Sequence, residues 1–141
     1  MDVDIGEIVT NFKKAYPNDD FLVQKHKPCT SAGRYHGDTL LDVKLEVGEC
    51  LTIYKLEKSS GSASINSDEL KSKAFPFVYD TKSETDIEKR HDLIRTSLKN
   101  LLPNYRVHTF IFTENCVHAG YYKACASFKK EYGSDFIVFL T

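Results

Sequence analysis

From Leu41 to Val47 the chain alternates without a break, with Leu41, Val43, Leu45 and Val47 on one side and Asp42, Lys44 and Glu46 on the other. A period of two puts the four apolar side chains on one face of an extended strand, which no helix does. Such a strand needs one face covered and one face wet, so the chain has to supply a sheet and something to lay against it. Gly48-Glu49 reads as a turn, and Cys50 to Leu56 as the returning strand of an antiparallel hairpin.

The remaining segments supply helices and further strands. Ile5, Ile8, Val9 and Phe12 recur at helical spacing after Asp4, a capping residue, and Pro17-Asn18 ends the run. Phe21 to Lys25 reads as a strand and Lys27 to Gly33 as loop. Ser59 to Ser64 is a low-complexity stretch suited to a mobile loop. Ser67 to Lys73 predicts a helical turn, and Phe75 to Tyr79 a strand that Pro76 confines to an edge. Thr85 and Glu88 form a capping box for a helix whose stripe is Ile87, Ile94, Leu98, Leu101 and Leu102, stopped by Pro103. Tyr105 to Phe112 and Phe136 to Leu140 read as strands. Val117, Tyr121, Ala124 and Phe128 predict a second long helix from Glu114 to about Glu131. The expected fold is one α+β domain over residues 1–141, an antiparallel sheet packed with helices.

Balanced charge, 19 Lys plus Arg against 20 Asp plus Glu, supplies no global field for nucleic acid or anionic lipid. No apolar run approaches the roughly 20 residues of a membrane-spanning helix, and no signal peptide is visible, so the chain is read as unanchored and unexported. Cys29, Cys50, Cys116 and Cys125 lack metal-ligand spacing; they are read as thiols in a reducing compartment, and no metal or cofactor is expected.

Cys116 carries the chemical expectation. With Thr113 as cap, it falls at the third position of the expected helix, where the helix dipole and free N–H groups lower a thiol pKa. A nucleophilic thiol also needs a base. His118, two residues on along a helix, points away from Cys116, whereas His36 precedes the alternating strand and can sit at its end.

Thr113-Glu114-Asn115-Cys116-Val117-His118 resembles the Asn-Cys-Glu-His segment of the lecithin:retinol acyltransferase and PLAAT proteins, the H-box/NC branch of permuted NlpC-like thiol enzymes. Tyr35-His36-Gly37 resembles the H-box, and Val47-Gly48-Glu49 the Val-Gly-Asp turn. Picornavirus 2A proteins of the parechovirus and kobuvirus kind share both motifs at about this length. The resemblance implies a permuted NlpC-like fold with Cys116 as nucleophile, His36 as base and Tyr54 in the place of the orienting second histidine.

Departures from the pattern point to a viral non-structural member with reduced or lost thiol catalysis. The segment after His36 is lengthened, Tyr54 replaces the histidine, Val117 replaces the motif Glu, and the cellular membrane anchor is missing. The resemblance then implies a host-protein or viral RNA partner in the host cell cytoplasm, with oligomeric state open. Lys123, Lys129 and Lys130 among Tyr121, Tyr122 and Phe128 offer RNA contacts on the expected helix, or simply a solvated face. The alternative is an active acyltransferase or phospholipase A, not a protease, forming an acyl-thioester on Cys116 with a lipid substrate.

Overall fold

A computed structural model of the chain describes residues 4–27, 29–61, 64–112, 116–129 and 135–141, with 29–32 and 47 described by their backbone alone. Its elements are α1 (Ile5–Ala15), β1 (Asp20–His26), β2 (Cys29–Arg34), β3 (Gly37–Lys44), β4 (Cys50–Leu56), α2 (Ser67–Asp80), α3 (Ile87–Leu101), β5 (Val107–Phe112), β6 (Cys116–Gly120), β7 (Ala124–Phe128) and β8 (Asp135–Leu140). The eight strands among the described residues form two antiparallel sheets, ordered β3-β4-β1-β6 and β2-β5-β8-β7. The protein is thus α+β, as expected, but with two sheets where one was read.

Alternation along the strands sorts the core into three layers. Phe21, Val23, Leu51 and Ile53 of the first sheet meet Ile5 and Val9 of α1. The alternate residues Leu22, Tyr54 and Leu56 meet Phe110, Phe112, Ile137 and Phe139 of the second sheet. The opposite face of that sheet, including Ile111, Phe136, Val138 and Leu140, packs on Leu70, Ala74 and Val78 of α2 and on Ile94 and Leu98 of α3. Central β8 is buried on both faces, which its unbroken apolar run requires.

Capping is local and sequence-driven. Asp4 accepts from the Glu7 N–H at 3.0 Å, Asn66 from the Glu69 N–H at 2.7 Å and Asp86 from the Lys89 N–H at 3.2 Å. The third helix therefore starts from Asp86 rather than Thr85. Leu101 of its expected stripe is 44% exposed, because the sheet-facing side also takes in Arg90 and His91. Phe75 to Tyr79 is helix, not strand. Leu70, Ala74 and Val78, four apart, bury one face of α2, and Pro76 lies on the exposed face, where water can take the carbonyl it leaves unbonded. Most of the expected loop from Lys27 to Gly33 is instead part of strand β2 (Cys29–Arg34), which runs along β5 with register shifts.

The hairpin forms as expected, with Leu41 opposite Ile53 and Val43 opposite Leu51. Its first strand does not bury the apolar face its pattern promises: Leu41 is 41% and Val43 37% exposed. Helix α1 lies over β1 and β6, and β3, at the sheet edge, extends beyond that cover. The ladder shifts by one residue between Thr39 and Leu41, and the alternation stops at a 3-10 turn, Glu46–Gly48.

Candidate functional site

Cys116 opens strand β6, not a helix, which corrects the expected helix over 114–131. Two strands, β6 and β7, occupy that segment. The helical spacing of Val117, Tyr121, Ala124 and Phe128 coexists with a two-residue alternation: Ala124, Ala126 and Phe128 are buried between half-buried Cys125 and Ser127. Val117 is 53% exposed, where a helix stripe would bury it. Gly120 lies so close to β1 that a Cβ there would stand 2.9 Å from the Phe21 carbonyl, an approach open only to a glycine strand. The proposed cap Thr113, with Glu114 and Asn115, lies outside the described residues.

The three expected site residues do not meet. Cys116 stands opposite His26 on β1, and Tyr54 opposite Leu22 on the same strand. That is a displacement of four residues, about 13 Å. His36 precedes Gly37, whose partner Leu56 pairs with Asp20. His36, one residue beyond that row and opposite Glu57, therefore lies seven residues, about 23 Å, from the Cys116 row. There the His36 Nε2 faces Arg95 Nη2 at 3.3 Å, and its N–H donates to His108 Nδ1 at 3.1 Å. Burial, followed by the charges of Arg95, Arg106 and Lys99, lowers the His36 pKa against the opposing pull of Glu57. Tyr54 packs edge-on against Tyr35 at 4.8 Å and tilted against Phe110 at 5.3 Å, a core aromatic.

Other polar groups fill the layer between the sheets near Cys116. His26 engages both ring nitrogens: Nδ1 lies 2.6 Å from the Lys27 carbonyl and Nε2 3.0 Å from Thr52 Oγ1. Thr52 in turn donates to Asp42 at 3.2 Å. Gln24, between Thr52 and His118 in register, is fully buried with neither amide atom hydrogen-bonded. His118 Nε2 lies 3.7 Å from Cys125 Sγ. Burial pushes the Cys125 thiol up to about 11, opposed by a hydrogen bond from Tyr122, while burial and Lys129 lower His118. With the thiol raised to about 11 and the imidazole lowered from its ordinary value, moving the proton from sulfur to nitrogen is uphill. This thiol–imidazole neighbourhood is neutral.

The sequence reading missed His118 through its period. In a strand, residues two apart share a face, so Cys116 and His118 both turn into the inter-sheet layer, whereas a helix separates them. The expected basic helix face is also dispersed. Phe128 is buried, and Lys123 donates to Ser59 Oγ and the Gly61 carbonyl at 3.0 and 3.1 Å. Lys130 lies outside the described residues. Among those described, no three His, Cys, Asp or Glu side chains gather as metal ligands, and no helix is long and apolar enough to cross a membrane.

Comparison of the chain with family models, curated proteins and solved structures finds no match, so the H-box/NC proteins are not identified as relatives.

Proposed function

We propose that the chain works by binding rather than by thiol catalysis, as a viral non-structural protein acting in replication through a host factor or RNA. The observation that carries the reading is the distance of about 23 Å, seven residues along the direction of β1, between the rows of His36 and Cys116. General-base activation needs the base within hydrogen-bond reach of the thiol, or linked through one water. The thiol–imidazole approach of Cys125 to His118 also retains its proton on sulfur. The viral setting rests on the sequence resemblance alone.

The test pairs chemistry with binding. Incubation with an acyl donor, including phospholipid vesicles, should leave the intact mass unchanged. Cys116→Ala should leave RNA retention in a mobility-shift assay as in the parent protein. A thioester mapped to Cys116 overturns the reading.

A second reading has one observation in its favour. His26 and Cys116 are direct cross-strand neighbours, with Thr52 and Asp42 behind the ring. An acyltransferase built on that pair would need the ring to release the Lys27 carbonyl, and it would lose activity in His26→Ala but not in His36→Ala.

A further inference from the structure

We propose that the outer edge of β3, which no described strand covers, is a self-docking strand, through which two copies of the chain pair antiparallel about Val43 and join their first sheets. The apolar alternation from Leu41 to Leu45 predicts a covered face, yet a single copy leaves Leu41 and Val43 exposed at the sheet edge. A row of unpaired edge groups beside exposed apolar side chains is a template for another strand.

The register follows from the ladder. The Leu45 N–H donates to the Glu49 carbonyl at 2.7 Å, so this pair is hydrogen-bonded, as is Val43 with Leu51 by alternation. The N–H and C=O groups of Asp42 and Lys44 then point away from β4, towards the open edge. A two-fold axis at Val43 sets Asp42 opposite Lys44 of the second copy, and Lys44 opposite its Asp42. Those are the residues whose outward groups must bond. On the other face the same axis places Val43 against Val43 and Leu41 against Leu45. Centring one residue earlier, at Asp42, would set two aspartates face to face, a repulsive cross-strand pair. Charge, apolar pairing and hydrogen-bond phase thus select one register and a second copy as occupant. The shift at Leu40 limits the ladder to Leu41–Leu45, so association should be weak. This surface is independent of the reading above, since it requires neither a binding partner nor a silent thiol.

Sedimentation of the full chain up to about 100 μM should show a mass rising towards twice the monomer value. Asp42→Lys and Lys44→Asp should each sediment as monomers, and their equimolar mixture should associate again, because every cross-strand pair then joins opposite charges. Val43→Cys under mild oxidation should give a dimer whose crosslink maps to position 43 in both chains, as a directly opposed pair allows. If either charge variant proves unfolded by circular dichroism, the crosslink decides. A parent chain monomeric throughout, a mixture that stays monomeric, or no crosslink through position 43 overturns the proposal and leaves the edge to a strand of another protein.

Discussion

His26 and Cys116 face one another across β1 and β6, yet the imidazole is turned to the Lys27 carbonyl and the Thr52 hydroxyl. A catalytic pair needs the ring aligned on the sulfur as well as near it, so a base role for His26 would begin with the ring leaving those partners.

Leu98 is fully buried between α3 and the second sheet, so Leu98→Ala should cost about 2 to 4 kcal/mol in urea unfolding. Leu101→Ala, at an exposed site on the same helix, should change stability by less than about 0.5 kcal/mol. Equal effects would show that the helix is rotated from the face described.

Cys125 should alkylate slowly at neutral pH, with a rate that climbs about tenfold per pH unit up to pH 10, because its thiol titrates near 11. Mass-resolved iodoacetamide labelling across that range measures it. A plateau near pH 9 would place the thiol in water.

Acid should destabilise the fold through two histidines. Burial, aided by Arg34, lowers His91 to about 4; burial, with the charges of His36, Arg95 and Arg106, lowers His108 to about 3. Each is near 6.5 in the unfolded chain. Between about pH 6.5 and 4 the unfolded state therefore binds more protons, and stability falls as pH falls. The stabilisation is complete above about 6.5. His91 and His108 together should contribute nearly two protons to the pH slope of the unfolding free energy, and His91→Gln should reduce that slope by about one.

Gly37 and Gly48 both have positive φ, 148° and 77°, but a Cβ at Gly37 would collide with the Lys55 carbonyl while one at Gly48 would meet nothing within 4 Å. Gly48→Ala should cost about 1 to 2 kcal/mol of backbone strain. Gly37→Ala should cost more, since β3 must also move from β4. Thermal unfolding of the two variants, ranked in the reverse order, would contradict the close approach.

Much of the fold was legible where one local signal stood alone. Asp4 and the spacing of Ile5 and Val9 specify α1, and the run at 136–140 can only be an interior strand. Ambiguity arose where two periods coexist: residues 117–128 satisfy a helical stripe, but cross-strand pairing with β1 and β8 decides for strands. Pro76 misled because burying Leu70, Ala74 and Val78 against the second sheet outweighs the roughly 3 kcal/mol that a proline costs inside a helix. The expected site depended on the period assigned to 114–131. Once Cys116 lies on a strand, its neighbours are fixed by register with β1, a long-range relationship that local sequence does not carry.

Strand β8 enters its sheet between β5 and β7, though it is the last of the eight to be made. A ribosome can release enough chain for the β3-β4-β1-β6 sheet while the other still has a gap in its middle. Until residues 135–140 emerge, Phe110 and Phe112 flank an empty lane and the helices have only part of their platform. A nascent chain that has made β5 but not β8 therefore carries an open strand edge, and a stall before residue 135 would leave a species prone to pair with its neighbours.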